Sequence, residues 1–374
     1  MNRYHEVKLV GGTMRRAALT AWPHVREQRS RCEKKANNHT MLRFAIPSKG
    51  SGYEASLALL ESCGLRVVRA NPRQYTAVLR GLSGVEVLLH RPADIVEKVA
   101  EGSIDLGITG YDLVAEQRSD DEDLLLVLDD LGFWRVELVI AVPQGWVDVH
   151  NWHDLADLAV ELRARGRRLR IATKYPTTIR RFCQEQGIAY FELIDSQGAT
   201  EAAPSLGYAD IIADITETGT AIRDNRLKIV GGPILRSQAV LVGSRRTLRA
   251  DQAKLALVRQ LLELIEARRR GRLFYSLTAN LPGSSVEAVG REVTARVELA
   301  GLQGPTIAPV WSKFAADSTT PHWYAVNVVV PQEELLPAVD HLRRIGAVSI
   351  STLQVQHVFH AQSEAFTRLC VALE

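Results

Sequence analysis

The stretch Asp210-Ile211-Ile212-Ala213-Asp214-Ile215-Thr216-Glu217-Thr218-Gly219-Thr220-Ala221-Ile222-Arg223 runs from an apolar strand through a hydroxyl-rich turn into a helix. A buried strand handing over to a helix through a tight turn belongs to an α/β layer. Thr218, Gly219 and Thr220 at the helix start offer free backbone N–H groups, the positive end of the helix dipole and hydroxyl donors, which together form a cup for one phosphate. Asp214 and Glu217 precede the cup, where carboxylates accept hydrogen bonds from vicinal sugar hydroxyls or hold Mg²⁺ directly or through water. Phosphate plus ribose hydroxyls describes a phosphoribosyl group. Singly, Asp214 and Thr220 read equally well as helix-capping residues; the whole arrangement favours the functional reading. The loop lacks the lysine of a P-loop and the G-x-G-x-x-G of a dinucleotide site.

Outward from this junction the same rhythm persists from Met41 to about Gly243. Strands are predicted at 42–47, 85–89, 104–108, 136–142, 169–173, 189–194, 210–214 and 237–242. Helices are predicted at 53–63, 92–101, 151–165, 176–187 and 220–225. The alternation implies an α/β domain on a largely parallel sheet. Residues 249–270 read as one longer amphipathic helix ending in Arg268-Arg269-Arg270. Beyond it the order becomes strand 272–279, helix 285–298, strands 306–310 and 323–330, helix 332–345 and strand 348–355. That βαββαβ order is the ferredoxin-like unit, a smaller domain with its own antiparallel sheet.

A chain of 374 residues exceeds one ordinary core, so two or three domains are expected. Cys32, Cys63, Cys183 and Cys370 are too scattered for a zinc ribbon or a disulfide framework, which fits a reducing cytoplasm. No apolar run reaches membrane-span length and the N-terminus lacks the apolar core of a signal peptide, so neither membrane association nor export is expected. Residues 1–40 hold nine Lys or Arg against three Glu, which leaves the rest of the chain mildly acidic. No recognisable nucleic-acid module accompanies these basic residues. Residues 1–40 are read as a disordered basic extension outside the fold, and no nucleic-acid partner is expected.

Other loops supply candidates with ordinary alternatives. Lys49, in Ser48-Lys49-Gly50-Ser51-Gly52-Tyr53, follows the first strand and reads as a pyrophosphate contact or as a surface lysine. Arg91, at the end of another strand, reads as a bidentate phosphate ligand or as a surface arginine. In Ile171-Ala172-Thr173-Lys174-Tyr175-Pro176, Tyr175 is placed to stack on a purine and Lys174 to meet a polyphosphate; the alternative is a proline-started helix. Glu201 is either a site carboxylate or a dipole partner at a helix start. No Ser-His-Asp set, H-E-x-x-H motif or cysteine-histidine cluster stands at usable spacing.

In this order the segments resemble the ATP phosphoribosyltransferase family. Its members carry a K-G loop after the first strand, then D-L/F-G-I-x-G, R-I-A-T-x-Y-P and a phosphoribosyl loop. The counterparts are Lys49-Gly50, Asp105-Leu106-Gly107-Ile108-Thr109-Gly110, Arg170 to Pro176, Gly198 to Pro204 and Asp210 to Thr220. The resemblance covers residues 42 to about 355. Ser51 departs from it, since many members have arginine after K-G.

The resemblance implies a two-lobed catalytic part like periplasmic binding proteins, lobe 1 from 41–139 and 232–271 and lobe 2 from 140–231. A regulatory domain is implied over 272–374. It further implies phosphoribosyl pyrophosphate on Asp214, Glu217 and Thr218 to Thr220, ATP beside Lys174, Tyr175 and Glu201, catalysis assisted by Lys49, Arg91 and Mg²⁺, and a homo-hexamer built from dimers. Gly304-Pro305-Thr306-Ile307-Ala308-Pro309 and Ile345-Gly346-Ala347-Val348-Ser349-Ile350 resemble the regulatory unit, so Thr306 and Ser349 are candidates to line a feedback site for histidine at a subunit contact; alternatively they are plain junction residues. Two other readings stay open. They are a two-lobed solute-binding or sensor module and a phosphoribosyltransferase for another base.

Overall fold

The computed structural model describes residues 41–117, 123–196, 198–296, 299, 301, 304–311 and 322–374. The basic extension expected at 1–40 lies outside them. The chain from Leu42 opens with β1 (Leu42–Pro47), α1 (Ser51–Ser62), β2 (Arg66–Val68), β3 (Thr76–Arg80), β4 (Val85–His90), α2 (Pro92–Ala100), β5 (Leu106–Gly110), α3 (Tyr111–Gln117) and β6 (Leu124–Leu128). Lobe 2 follows with β7 (Val136–Pro143), α4 (Trp152–Ala164), β8 (Leu169–Thr173), α5 (Pro176–Glu185), β9 (Phe191–Asp195), α6 (Ala203–Leu206), β10 (Ile211–Thr216), α7 (Thr220–Asp224) and β11 (Leu227–Ser237). The chain then returns through β12 (Ala239–Ser244), α8 (Arg245–Ala250) and α9 (Gln252–Gly271).

Lobe 1 is a seven-stranded sheet in the order β2-β3-β4-β1-β5-β12-β6, and lobe 2 a five-stranded sheet in the order β11-β7-β10-β8-β9. Both are mixed rather than largely parallel. Only β4-β1-β5 and β10-β8-β9 are parallel, and the other pairings are antiparallel. The reason is topological: β2, β3 and β4 follow one another with no helix between them, and the chain passes between lobes through β7, β11 and β12 without a helical crossover to restore direction. The sheets change hands just before Val136 and just after Ser237, a few residues from the boundaries read at 139 and 232. The two crossings are stitched together: Ala239 N–H donates to the Phe133 carbonyl at 2.9 Å and the Gln238 side chain to the Asp129 carbonyl at 2.7 Å.

Two glycines of the Asp105–Gly110 strand allow close approach. A Cβ at Gly107 would lie 2.4 Å from Ile95 of α2, and one at Gly110 would lie 2.3 Å from Asp112 Oδ1. Asp105 itself sits at the other end of β5, fully buried. It accepts from Arg43 N–H at 2.8 Å and pairs with Lys254 Nζ of α9 at 2.9 Å, so it ties helix to sheet instead of meeting substrate.

The helix expected over 249–270 is two helices. Asp251 is extended, at φ −136° and ψ 101°, and its carboxylate accepts the N–H groups of Ala253 and Lys254 as the cap of α9. After α9 come β13 (Phe274–Pro282), α10 (Val286–Thr294), β14 (Thr306–Pro309), β15 (Trp323–Pro331), α11 (Leu335–Arg344) and β16 (Val348–Gln354). The sheet order β14-β15-β13-β16, antiparallel throughout, is the ferredoxin-like arrangement. Leu277, Ala279 and Leu281 alternate inward with Tyr324, Val326, Val328 and Val330 to form its core.

The last helix, α12 (Glu364–Leu373), leaves this unit. Ala365, Leu369 and Leu373 are buried in the lobe 1 core beside α9, and Glu266 accepts the Ala365 N–H at 2.9 Å. The unit expected over 272–374 therefore ends before this helix. Among the described residues no helix is long and apolar enough to cross a membrane.

Asp105→Ala should lower stability by about 3–5 kcal/mol in urea unfolding, because Lys254 would be left almost buried and unpaired. In lobe 2, Asp210 is partly desolvated, yet its bonds from Arg170 and Arg167 hold its carboxyl below the usual carboxylate range. A depressed folded pKa contributes stability that is present above the unfolded pKa and lost as pH falls through the folded one. Asp210→Asn should therefore destabilise lobe 2 near neutrality and flatten its acid limb, which urea melts at several pH values would record.

Candidate active site

Parallel strands end together, and both lobes place their candidates at such ends. In lobe 2, β10 lies between β8 and β7 with Ala213 beside Thr173, so Asp214 and Lys174 emerge side by side. Lys174 Nζ stands 3.7 Å from Asp214 Oδ2, while Asp214 Oδ1 accepts the Ile215 N–H at 2.8 Å. The pair is partly open, with the lysine side chain 36% and the aspartate side chain 13% exposed, so it remains reachable from solvent.

The turn beyond Asp214 is preformed. Gly219 takes φ 71°, the left-handed region, and donates its N–H to Thr216 Oγ1 at 2.9 Å. The hydroxyls of Thr218 and Thr220 meet at 2.9 Å and both residues are exposed, as is Glu217. Arg223 donates to Thr220 Oγ1 at 3.3 Å from the first turn of α7. Two hydroxyls, a helix start and a nearby guanidinium make an anion cup. Arg223 was not singled out from sequence, although its position three residues after Thr220, one helical turn on, was the available signal.

In lobe 1, Lys49 and Arg91 follow β1 and β4, whose last residues Pro47 and His90 are register partners, and both side chains are exposed. Ser48 N–H donates to the His90 carbonyl at 2.8 Å, fixing the two loops side by side. Burial and the nearby Lys98 lower the pKa of His90, which keeps this neighbour of Arg91 neutral near pH 7. The loop between β2 and β3 reaches the same end of the sheet, since the Leu89 N–H donates to the Tyr75 carbonyl at 2.8 Å. That loop adds Arg69, Arg73 and the 71% exposed Tyr75. Sequence reading missed these residues because β2 and β3, at one side of the sheet, are short. Arg69 donates to the Tyr53 hydroxyl and its guanidinium lies 5.0 Å from that ring centroid. Ser51 opens α1 at this same corner and is exposed.

Tyr175 needs correction. Its ring is 3% exposed in the lobe 2 core and its hydroxyl donates to Asp112 Oδ2 at 2.7 Å, so no face is free to stack on a purine. Burial foremost, with the Asp112 charge, pushes its pKa far up, so the hydroxyl stays protonated. Glu201 lies in the short turn Thr200–Ala202, half-buried. Thr306 and Ser349 are not brought together, because β14 and β16 are opposite edges of their sheet, three inter-strand steps or about 14 Å apart.

Mg²⁺ meets a sparse donor set. Among the described residues no group of three His, Cys, Asp or Glu side chains could hold a metal ion. Asp214 and Glu217 suit a hydrated Mg²⁺ carried mainly by a pyrophosphate, which ordinarily needs only one or two protein carboxylates.

A two-lobed α/β scaffold with a hydroxyl-lined turn beside the Lys174–Asp214 pair in one lobe and exposed cations at strand ends in the other fits a transferase acting on a phosphoribosyl donor. The chain belongs to the ATP phosphoribosyltransferase family. The family model described as ATP phosphoribosyltransferase matches residues 91–267, and that of its C-terminal domain matches 272–357. The chain is 37% identical over 330 residues to ATP phosphoribosyltransferase 2, chloroplastic, of Arabidopsis thaliana, covering 88% of this chain and 79% of that relative. It is 34% identical over 329 residues to a Bradyrhizobium ATP phosphoribosyltransferase, covering 87% and 96%. With a Mesorhizobium japonicum ATP phosphoribosyltransferase it shares 44% identity over 220 residues, covering 58% and 95%. Among solved structures, the Thermotoga maritima ATP phosphoribosyl transferase (HisG:HisZ) complex aligns at a TM-score of 0.47 and 26% identity, covering 60% of this chain and 99% of that one. The chain is thus a pentosyl transferase that joins ATP to 5-phosphoribosyl 1-pyrophosphate, the first step of histidine biosynthesis.

Gly219→Ala tests the cup. A Cβ there would sit 3.0 Å from Arg223 in a left-handed backbone, at a cost of about 1–2 kcal/mol. The variant should fold and bind ribose 5-phosphate about tenfold more weakly, as calorimetry would show.

Proposed function

We propose that the phosphoribosyl donor binds lobe 2, with its 5-phosphate at Thr218, Gly219 and Thr220 and its ribose hydroxyls at Asp214 and Glu217. The observation that carries this reading is the Lys174–Asp214 pair at 3.7 Å, one turn from a preformed anion cup at the end of a parallel strand. Such ends are where open α/β sheets bind ligands. ATP then lies across the cleft, beside Lys174 and Glu201, with the exposed Tyr75 of lobe 1 as an aromatic surface in place of the buried Tyr175.

Adenine N1 attacks C1 of the ribose with its lone pair. The C1–O bond to pyrophosphate breaks with its electrons leaving on oxygen, through an oxocarbenium-like transition state. N1 is already a free nucleophile, so no strong base is required. Lys49 and Arg91, with Arg69 and Arg73 along the same edge, face the leaving pyrophosphate. Alignment and charge stabilisation carry the rate. Mg²⁺, when bound with the donor, neutralises part of the pyrophosphate charge.

The ferredoxin-like unit is proposed to bind histidine as a feedback inhibitor. Thr306 and Ser349 lie on opposite sheet edges, so a site using both is completed only where two subunits meet. This reading agrees with a homo-hexamer built from dimers. Cytoplasmic residence is proposed from the free cysteines, of which Cys63 and Cys183 are buried and Cys183 is pushed up to about 12 by burial.

An assay with ATP, phosphoribosyl pyrophosphate, Mg²⁺ and pyrophosphatase tests the assignment of the loop. Asp214→Ala with Glu217→Ala should reduce kcat/KM at least about a hundredfold with the unfolding midpoint little changed; turnover equal to the parent would remove these carboxylates from the site. Histidine added to the same assay should abolish turnover, and indifference would leave the enzyme but remove the regulator.

A further inference from the structure

Asp112 and Glu116 stand one turn apart on α3 of lobe 1, and both side chains reach the same junction of lobe 2. Asp112 Oδ2 accepts the Tyr175 hydroxyl at 2.7 Å and Oδ1 accepts the Ser237 hydroxyl at 2.6 Å, while Ser237 Oγ accepts the Asp112 N–H at 2.9 Å. Glu116 accepts the N–H groups of Thr177 and Thr178, at 2.7 and 2.9 Å, on its two carboxylate oxygens. Those are first-turn donors of α5, which have no partner within their own helix, and a carboxylate there is also favoured by the helix dipole. Asp112 is 5% exposed, so opening this contact would strip a buried carboxylate of its hydroxyl donors.

The place of this cluster gives it a consequence for the reaction. The two crossings between lobes, near Phe133 and Gln238, form a pivot, and Tyr111 N–H donates to the Gln238 carbonyl at 2.9 Å within it. Asp112 and Ser237 sit at that pivot. Glu116 is one helical turn, about 5.4 Å, farther along α3, so it adds a second point of attachment off the axis and resists rotation of one lobe against the other. The helix start it holds, at Thr177 and Thr178, lies three residues beyond Lys174, the partner of Asp214, and Thr173 is the register partner of Ala213 in β10.

We propose that Asp112 and Glu116 are positioning residues, a two-point latch that fixes the angle between the lobes and so sets the cations of lobe 1 against the phosphoribosyl loop of lobe 2. The latch explains the glycine at 110, where any Cβ would displace the Asp112 carboxylate. It also gives Tyr175 its role, with the hydroxyl acting across the lobes. The proposal rests on the reading that the donor's 5-phosphate and ribose bind lobe 2, and its test is arranged so that the two fail separately.

The full-length double variant Asp112→Asn with Glu116→Gln is compared with the parent in three measurements. Ribose 5-phosphate binding by calorimetry probes lobe 2 alone, kcat under saturating substrates probes the assembled site, and spin labels introduced at Glu61 of α1 and Glu161 of α4 report the interlobe distance. The expected result is a Kd for ribose 5-phosphate within about twofold of the parent, a kcat lower by at least about tenfold and a broadened distance distribution, since misplacement on the ångström scale costs up to about a hundredfold. A parental kcat with a parental distance distribution overturns the latch. So does a loss of ribose 5-phosphate binding in step with kcat, which would mark the pair as support for lobe 2 alone. If the parent itself fails to bind ribose 5-phosphate, the reading of the loop falls, while distance and kcat still decide the latch. Should the double variant not fold, Tyr175→Phe removes one hydroxyl from the same cluster and is judged by the same readouts, with a smaller fall in kcat, about threefold, expected.

Discussion

Ala213 lies beside Thr173 because β10 and β8 pair in parallel, and the site depends on that register. Parallel strands run to the same end of a sheet, so Lys174, just after β8, and Asp214, the β10 residue just past the last pair with β8, emerge together although they are far apart in sequence. The same constraint acts in lobe 1, where β1 and β4 end together and deliver Lys49 and Arg91. A polyphosphate needs cations at one end and a sugar phosphate needs hydroxyl and N–H donors at the other. In the proposed reading, the strand ends of the two lobes supply both without any residue of unusual reactivity.

Small residues allow the elements to meet. Without side chains at Gly107 and Gly110, α2 settles on β5 and the Asp112 carboxylate reaches across to lobe 2. The aspartate opening that strand serves stability, since it neutralises Lys254 inside the lobe and thereby anchors α9 to the sheet. The D-L-G-I-T-G segment thus combines an ion pair at its start with close packing and a lobe contact at its end, which explains why so ordinary a strand carries a family signature.

The ferredoxin-like unit is joined to lobe 1 at two places. The chain enters it from α9 and comes back through residues 355–363, where Val358 N–H donates to the Ala267 carbonyl and Arg268 donates to the Gln356 carbonyl. The returning backbone passes so near Gly271 that a Cβ there would lie 2.5 Å from the Gln356 carbonyl. It ends as α12, embedded in the lobe 1 core. Both ends of the unit are thus anchored on lobe 1, the first through α9 and the second through α12, which packs beside α9 and β6.

Periodicity and turn chemistry were enough for most of the fold. The strand into Asp214, the Thr218-Gly219-Thr220 turn and the βαββαβ order could be read directly, because alternation, apolar runs and helix-start residues are local properties of the chain. So could the hydroxyl-rich turn, whose donors come from one short segment. Tertiary structure alone decided that Tyr175 is core and not a stacking surface, that the loop of Arg69 and Tyr75 reaches the sheet end that carries Arg91, that Thr306 and Ser349 stand at opposite edges, and that the last helix belongs to lobe 1. Each of these depends on which distant segment fills the space beside a residue. A side chain's exposure and partners are set by packing between elements, and no local pattern in the sequence encodes them.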